Sequence, residues 1–170
     1  MPDMTPLQLA AATGVALAAL GASAVLRPVP LIVWNASASA PLGFYAVRPA
    51  TALRRNDIVL AWPPQWAAAL AARRGYLPLG VPLVKRIVGL SGDRVCERKQ
   101  ALSINGRIVA QALAADREGR VLPYWHGCLR LKAGEVFLLM AHVPDSFDGR
   151  YFGPIRRVAV IGKLRPLWTW

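Results

Sequence analysis

The chain has 170 residues, which is enough for one domain with a hydrophobic core but short for two independent domains. Its 21 basic and 9 acidic residues give a formal charge of +12, which favours binding to anionic lipid headgroups or to nucleic acid. The basic residues form scattered pairs such as Arg54 and Arg55, and no aromatic-interleaved motif accompanies them. Composition therefore argues against a specific nucleic-acid-binding protein and favours contact with an anionic membrane surface.

The first predicted element is an apolar helix near the N-terminus. From Leu7 to Leu26 no residue is charged, and Ala, Leu, Val and Gly predominate, so the segment has bilayer-spanning length. We interpret residues 1–27 as a transmembrane anchor and residues 28–170 as the folded domain behind it. A cleavable signal peptide is an alternative, because Ala22–Ala24 resembles a small-residue cleavage site, although no positive charge precedes the helix. A buried core helix is a weaker alternative, since the segment is apolar on all sides.

The sequence gives conflicting indications of the side of the membrane on which the domain lies. Asp3 is the only charged side chain before the helix and several arginines follow it, so the positive-inside rule alone would leave the domain in the cytoplasm. Large translocated domains often escape that rule. Cys96 and Cys128 are compatible with one disulfide in an oxidising compartment, and two unrelated buried thiols are the alternative.

The remaining sequence predicts a mainly β fold. Short segments rich in β-branched or aromatic residues alternate with Pro or Gly: Gly43–Val47, Asp57–Trp62, Leu83–Val88, Glu135–Met140 and Val158–Leu164. Asn105–Gly106 between Ala101–Ile104 and Arg107–Ala110 predicts a hairpin with a type I′ turn, because both turn positions require a positive φ. One further helix is predicted at Gln65–Arg74, directly after two prolines.

Lys85 is a candidate for chemistry. Side chains alternate along a strand, so Lys85 would share a face with Leu83 and Ile87. Desolvation between aliphatic neighbours lowers the pKa of an ammonium group and yields a neutral amine that can accept a proton from a hydroxyl. Arg86 could not act in this way, because a guanidinium group stays protonated. On periodicity alone, a lysine that reaches from a strand edge to water is the more common outcome.

Ser39 is a candidate nucleophile. A serine hydroxyl is a weak nucleophile until a base removes its proton. Pro41 and Gly43 are expected to constrain the backbone into a turn that presents Ser39 with its own N–H free. Ser37 would lie on the same side of an extended segment and could direct its hydroxyl at the same oxyanion. A serine in an Ala/Ser/Pro stretch more often simply forms a loop.

Three segments of the chain together resemble the conserved boxes of the membrane-bound serine–lysine signal peptidases. The boxes read Ser-x-Ser, Lys-Arg-x-x-Gly-x-x-Gly-Asp and Ser-x-Asp-x-Arg-Tyr-x-Gly, and they match Ser37–Ser39, Lys85–Asp93 and Ser146–Gly153 in family order. One box alone would be weak, whereas three in order are specific. The single residue between Ser39 and Pro41 most resembles the conjugative-transfer, or TraF-type, branch.

The resemblance implies a signal-peptidase-like, β-rich catalytic domain with a role for each matched residue. Ser39 is implied as the nucleophile and Lys85 as the general base, while Ser37 and the Ser39 N–H would form the oxyanion hole. Ser146 would orient the Lys85 amine. Asp148 and Arg150 would form a supporting ion pair, and a chemical role for Asp148 remains open beside a structural one.

The chain departs from the family pattern at three positions. Ala40 replaces a larger apolar residue, Ser91 replaces a proline and Gly149 replaces a common serine. The first change could alter the binding pocket. The other two bear on the rigidity of the loops that contain them.

The function implied by the resemblance is that of a membrane-bound serine endopeptidase. It would cleave signal or leader peptides through an acyl-enzyme, and the expected substrate is a conjugative pilin precursor, processed from the periplasmic side of a bacterial inner membrane crossed once. The expected partners are a membrane-tethered precursor, bound as an added β-strand, and anionic membrane lipid. Hydrolysis and peptide cyclisation both remain open as the outcome.

No cofactor or metal is expected, because His126 and Cys128 are too sparse for a zinc site and His142 stands alone. Two other functions remain open. One is a general type I signal peptidase for secreted preproteins. The other is a non-catalytic, basic, membrane-attached binding module, in which Ser39 and Lys85 would be dispensable.

Overall fold

The structure, a computed structural model, describes residues 5–26 and 30–170. The chain separates into two compact units, Met1–Pro30 and Leu31–Trp170. The first contains helix α1 (Pro6–Leu26), in agreement with the predicted N-terminal helix. Among the described residues no helix is both long and apolar enough to cross a membrane, so the predicted transmembrane character of α1 is unconfirmed. The predicted boundary between residues 27 and 28 lies outside the described residues, as do Asp3 and Arg27 of the charge argument.

Residues 31–170, all of which the structure describes, form a mainly β domain, as predicted. Its strands are β1 (Ile32–Asn35), β2 (Gly43–Arg48), β3 (Ile58–Ala61), β4 (Leu83–Gly89), β5 (Arg94–Arg98), β6 (Ala101–Ile104), β7 (Arg107–Gln111), β8 (Gly127–Arg130), β9 (Glu135–Leu139), β10 (Ile155–Arg156) and β11 (Val160–Thr169). Its helices are α2 (Gln65–Arg73), α3 (Gly149–Phe152) and a 3₁₀ turn at Arg157–Ala159.

The strands form two antiparallel sheets. The larger sheet has seven strands in the order β1-β2-β11-β3-β4-β9-β10, and the smaller has four in the order β7-β6-β5-β8. Strand β4 lies between β3 and β9, so both of its edges are hydrogen-bonded. Any side chain on the inner face of β4 is therefore held at the centre of the larger sheet.

The inner face of β4 packs into the largest hydrophobic cluster of the domain. Leu83 and Ile87 belong to that cluster together with residues from β3, β9, α2 and α3. Helix α2 contributes Ala67 and Ala71, which are both buried. Short alanine side chains let the helix approach the sheet closely, and this packing explains why so short a helix is stable here.

The predicted hairpin is confirmed and is attached to the second box. Asn105 has φ of 50° and Gly106 has φ of 84°, which are the positive values that a type I′ turn needs. The Asn105 side chain accepts a hydrogen bond from the Arg94 N–H at 2.9 Å and donates one to Asp93 at 2.8 Å. The turn that ends the second box is thereby tied to the smaller sheet.

The predicted start of the last strand, at Val158, was wrong. Residues 157–159 form a 3₁₀ turn, and the strand runs from Val160 to Thr169. The Arg157 N–H donates to the Gly134 carbonyl at 2.7 Å, and its guanidinium donates to the carbonyls of Ala50 and Thr51. These contacts hold residues 157–159 out of the sheet, between β10 and β11.

A disulfide joins the two cysteines of the smaller sheet. Cys96 of β5 and Cys128 of β8 are directly opposite each other in the antiparallel register, and their sulfur atoms are bonded. They are 32 residues apart in sequence. The predicted pairing is confirmed, and the alternative of two buried thiols is excluded.

Breaking this disulfide should destabilise the domain. Cross-linking residues so far apart removes conformational entropy from the unfolded chain, so reduction should lower the free energy of unfolding by about 2–4 kcal/mol. Urea unfolding with and without dithiothreitol measures the change. The Cys96→Ser, Cys128→Ser double variant is the control and should not respond to the reductant. Alkylation of both thiols in the folded, unreduced protein would contradict the assignment.

Candidate active site

The loop between β1 and β2, residues 36–42, contains Ser37 and Ser39, and it is held by one buried amide. Asn35 is 3 % exposed. Its Nδ2 donates to the carbonyl oxygens of Ser37, Ala40 and Pro41 at 3.0, 3.1 and 3.0 Å. Its Oδ1 accepts from the Ser37 N–H at 3.2 Å. The amide therefore acts as the centre of the loop and fixes the direction of its backbone.

Gly43 closes the same loop at a point of close backbone approach. Its φ is 142°, and a Cβ at this position would lie 2.0 Å from the Trp168 carbonyl oxygen on β11. Only glycine fits such a contact. The expectation that Gly43 constrains the turn is thus met by packing against β11.

Lys85 lies on the inner face of β4, as the alternation predicted. Buried and half-buried residues alternate strictly along this strand, and Lys85 is 4 % exposed between Leu83 and Ile87. A lysine that reaches from the strand to water is therefore excluded. Burial lowers the pKa of Lys85 from 10.5 to about 8, and the neighbouring charge of Arg150 acts in the same direction. The carboxylates of Asp148 and Asp145 oppose this decrease.

The structure brings the Lys85 amine to two serine hydroxyls from distant parts of the chain. Its Nζ lies 2.9 Å from Ser39 Oγ and 3.0 Å from Ser146 Oγ. Ser146 is buried, and Ser39 is half-buried at the mouth of a cavity. In its neutral form, an amine at hydrogen-bond distance from a hydroxyl can accept the hydroxyl proton.

Ser37 contacts Ser39 directly. The two Oγ atoms are 2.6 Å apart, and the Ser39 N–H donates to Ser37 Oγ at 3.3 Å. The prediction that this N–H is free was wrong, because the Ser-x-Ser turn lets the first hydroxyl accept from the second amide. Both expected oxyanion donors nevertheless lie beside the Ser39 hydroxyl.

Asp148 and Arg150 form a buried ion pair, with side chains 0 % and 1 % exposed. Arg150 Nε lies 2.9 Å from Asp148 Oδ1, and Nη2 lies 2.8 Å from Oδ2. The guanidinium also donates to five carbonyl oxygens, those of Gln111, Met140, Val143, Pro144 and Ser146. One arginine thus organises the segment that delivers the Ser146 hydroxyl to Lys85.

Gly149 stands where the family often has serine, and the packing here explains the difference. A Cβ on Gly149 would lie 2.6 Å from the Leu138 carbonyl oxygen and 2.7 Å from the Phe137 ring. Real Cβ atoms do not make such contacts without displacing their neighbours. Helix α3 can therefore start against β9 only because this residue lacks a side chain.

The end of the second box holds the turn after β4. Asp93 accepts from the Leu90 N–H at 2.7 Å and pairs with Arg55 at 2.7 Å. Burial alone would raise the pKa of Asp93, but hydrogen bonds from Leu90, Asn105 and Arg55 outweigh it and lower the pKa. Asp93 stays ionised and acts as a structural anchor for the turn.

A cavity of about 420 Å³ opens at the Ser39 hydroxyl. Ser37, Ser39 and Lys85 line one part of it, and Leu113, Leu122 and Phe147 contribute apolar surface. No group of three or more His, Cys, Asp or Glu side chains within residues 5–26 and 30–170 is arranged to hold a metal ion.

The segment 112–122, which we term the cavity wall, was not anticipated from the sequence. Asp116 is its main fixed point: it pairs with Arg120 at 2.7 Å and Arg74 at 3.7 Å, and it accepts from the Tyr76 hydroxyl. Arg117 of the wall also pairs with Asp145, next to Ser146. In sequence these charges look like those of any solvated loop. The only local signal is Gly119, whose φ of 75° closes the turn.

Comparison with known proteins places these residues in a family. The sequence pattern described as "Signal peptidase, peptidase S26" matches residues 4–170. The plasmid transfer protein TraF of Escherichia coli is 35 % identical over 147 residues, which cover 80 % of this chain and 82 % of that protein. The conjugal transfer protein TraF of Agrobacterium fabrum is 35 % identical over 148 residues, covering 79 % and 81 %.

Two signal peptidases are also similar to this chain, one over a shorter part of its sequence and the other at lower sequence identity. Signal peptidase I of Bacillus caldolyticus is 30 % identical over 91 residues, 48 % of this chain and 50 % of that protein. A crystal structure of a signal peptidase I from Enterococcus faecalis is 24 % identical, covers 68 % of this chain and 98 % of that one, and has a TM-score of 0.42. On the match along almost its whole length, and on the TraF relatives, the chain belongs to the signal peptidase family, peptidase S26.

Proposed function

We propose that this chain is a serine endopeptidase with Ser39 as nucleophile and Lys85 as general base. Membership of the family implies a serine peptidase. The observation that carries the assignment of residues is the distance of 2.9 Å between Lys85 Nζ and Ser39 Oγ, combined with the burial that lowers the Lys85 pKa to about 8. Nucleophile and base are within hydrogen-bond reach, and the base is tuned to act near neutral pH.

In the proposed reaction, neutral Lys85 accepts the Ser39 hydroxyl proton as Oγ attacks the carbonyl carbon of the scissile peptide bond. The tetrahedral intermediate then collapses, and the Lys85 ammonium returns the proton to the departing amine. Ser39 is left as an acyl ester. A water molecule, deprotonated by Lys85, attacks that ester, and the Lys85 ammonium returns the proton to Ser39 Oγ as the second product leaves. Ser146 keeps the amine directed at Ser39 in both steps, because it holds Nζ at 3.0 Å.

Ser37 and the Ser39 N–H are the proposed oxyanion donors. Before substrate binds, the N–H donates to Ser37 Oγ at 3.3 Å, and the Ser37 hydroxyl lies 2.6 Å from Ser39 Oγ. A developing oxyanion is a stronger acceptor than a hydroxyl, so both donors would turn to it in the transition state. The hydrogen bond that the N–H gives up is long, and its loss therefore costs little.

We assign Asp148 and Arg150 a positioning role. Asp148 Oδ1 accepts from the Arg150 N–H and Nε, and Oδ2 accepts from the Met140 N–H and Arg150 Nη2. Both carboxylate oxygens are thus occupied by hydrogen bonds. We therefore expect the ion pair to act on Lys85 mainly in two ways, by shifting the Lys85 pKa and by positioning Ser146.

The proposed substrate is a membrane-tethered precursor, most specifically a conjugative pilin precursor. Two observations support this choice. The relatives named for plasmid or conjugal transfer align over about four-fifths of the chain, whereas the Bacillus signal peptidase aligns over 48 %. A single residue separates Ser39 from Pro41, and the buried Ala40 leaves the loop tight. The precursor would bind as an extended strand, in which main-chain hydrogen bonds supply affinity.

We further propose that the enzyme works at the extracytoplasmic face of the bacterial inner membrane, with α1 as a single-pass anchor. Four exposed aromatic side chains support contact with lipid: Trp34, Phe44, Trp168 and Trp170. Their rings contact one another at tilted or edge-on angles, with centroids 4.8 Å apart for Trp34 and Phe44, 5.3 Å for Trp34 and Trp170 and 5.5 Å for Trp168 and Trp170. Indole rings favour the membrane interface. The disulfide fits an oxidising compartment.

The first test of this function is the loss of processing in Ser39→Ala and Lys85→Ala. Each change should lower kcat/KM on a pilin precursor by about 10³-fold or more, and the double variant should be no worse, because nucleophile and base act as one unit. Lys85→Arg should also fail, because it keeps the charge and loses basicity. Ser91→Ala and Lys132→Ala, at exposed positions, are the matched controls. Cleavage that persists in Ser39→Ala would rule the mechanism out.

The pH dependence of processing offers a second test. Lys85 must be neutral to act, so kcat/KM should rise about tenfold per unit of pH in acid and level off above about 8. Asp145→Asn removes an anion that raises the Lys85 pKa, so the midpoint should move to lower pH. Glu118→Gln, at another carboxylate of the same cavity, is the control and should leave the midpoint in place. A midpoint that does not respond to Asp145→Asn would mean that another group titrates.

The range of substrates separates the specialised function from that of a general signal peptidase. Deleting the gene should block pilus assembly or conjugative transfer while bulk protein export and growth continue. An additional copy should not rescue cells that lose their main signal peptidase. If it does rescue them, the general function is correct, and the roles of Ser39 and Lys85 are unaffected.

A further inference from the structure

A second cavity, of about 230 Å³, lies at the open end of the smaller sheet. Its buried lining includes Glu97, Ala112 and Leu122, and its exposed lining includes Lys99, Tyr124 and His126. It is much larger than a single water molecule needs. None of these residues belongs to the Ser39 and Lys85 site, apart from the wall residue Leu122, which lines both cavities.

Glu97 in this cavity is a buried carboxylate with one unsatisfied oxygen. It is 2 % exposed and lies on the inner face of β5, the face that also carries the buried Val95. Oε1 accepts from the Gln100 N–H at 3.0 Å, whereas Oε2 has no hydrogen-bond partner among the described residues. Leaving such an oxygen buried and unsatisfied is destabilising, because it loses its bonds to water and gains none in the fold. Groups of this kind mark strain, a function or a bound partner.

Backbone strain occurs at the same place. Lys99 and Gln100, which join β5 to β6, have φ of 49° and 68°, values that non-glycine residues seldom adopt. The Gln100 carbonyl in turn accepts from the Ala112 N–H at 2.7 Å, where the cavity wall begins. Glu97 thus holds a strained turn that is bonded to the wall. Strain of this kind concentrates at functional sites.

The wall connects this cavity to the active site. Leu113 and Leu122 line both cavities, so the segment 112–122 separates them. An extended peptide in the Ser39 cavity would pass this wall, and one of its side chains could cross it. The lining of the Glu97 cavity indicates which kind of side chain would fit. The apolar walls of the cavity suit an aliphatic stem, and the Glu97 carboxylate suits a cationic group in a poorly solvated site.

We propose that the Glu97 cavity is a subsite for a basic side chain, lysine or arginine, of the precursor that the enzyme processes. The proposal rests on the proposed function. The stem of the side chain packs against Leu113 and Leu122, and its ammonium or guanidinium group donates to Glu97 Oε2. The exposed side chains of Lys99 and Tyr124 at the rim move aside as it enters.

Binding can be measured without catalysis on the full-length chain. The probes are n-butylammonium and n-butylguanidinium, and 1-butanol is the neutral control. The amide resonance of Gln100, which donates to Glu97, should shift saturably with either cation and not with 1-butanol. Glu97→Gln keeps an oxygen for the Gln100 N–H but loses the charge, and it should weaken binding of the cations at least about tenfold.

Glu135→Gln is the matched control, because Glu135 also accepts a backbone N–H three residues away, from Lys132, and lies outside the cavity. It should bind the cations as the wild type does. Equal binding of cations by Glu97→Gln and wild type, or equal binding of 1-butanol and the cations, would overturn the subsite.

Processing kinetics test whether the basic group comes from the precursor. Each Lys or Arg of a processed precursor is replaced in turn by Met. One replacement should raise KM about tenfold in the wild type with little change in kcat, and it should add no further effect in Glu97→Gln. If no replacement couples to Glu97→Gln, the precursor does not fill the cavity and the proposal is wrong. Failure to cleave any precursor would instead count against the proposed function, and the cation titration would still decide whether the cavity binds a basic group.

Discussion

The burial of one amine is the constraint on which the rest of the domain depends. Lys85 is placed at the centre of the larger sheet and is 4 % exposed, and this burial makes its neutral form more favourable than it is in the unfolded chain. A lysine with a pKa below its unfolded value destabilises the fold whenever it is charged. That penalty, about 3 kcal/mol at most, is complete below pH 8 and declines as the pH rises from about 8 towards 10.5. The fold thus accepts a stability cost near neutral pH to keep the proposed general base available.

A buried ion pair supports this arrangement more than it stabilises the fold. Removing two charges from water is expensive, and a buried pair often contributes little net stability. Arg150 is nonetheless well satisfied, because Asp148 and five carbonyl oxygens accept its hydrogen bonds. The gain is geometric: residues 140–146 have no regular structure, yet the Ser146 hydroxyl reaches Lys85 at 3.0 Å. Position, and not stability, explains why this pair is kept in the core.

The parts of the site that follow from local pattern could be predicted, and the parts that depend on distant contacts could not. Alternation along β4 identified the face of Lys85, and Asn105–Gly106 identified the hairpin turn. Asn35 was missed, because its role as the centre of the Ser39 loop depends on three carbonyls that only the folded loop brings together. Strand β5 was missed for a different reason: it carries charges at both ends and at Glu97, so it lacks the apolar alternation that predicts a strand.

The departures from the family pattern fall on packing and leave the chemistry intact. Gly149 has no room for a side chain against Phe137 and Leu138, whereas Ala40 is a buried member of the loop that Asn35 holds. Ser91 lies exposed in the turn that Asp93 anchors, where a proline's rigidity is replaced by hydrogen bonds to the neighbouring backbone and to Asn105. The Lys85 amine nevertheless lies within hydrogen-bond distance of the Ser39 and Ser146 hydroxyls. The geometry of the proposed site is therefore compatible with divergence in the loops around it, so one proposed arrangement could serve substrates of different shape.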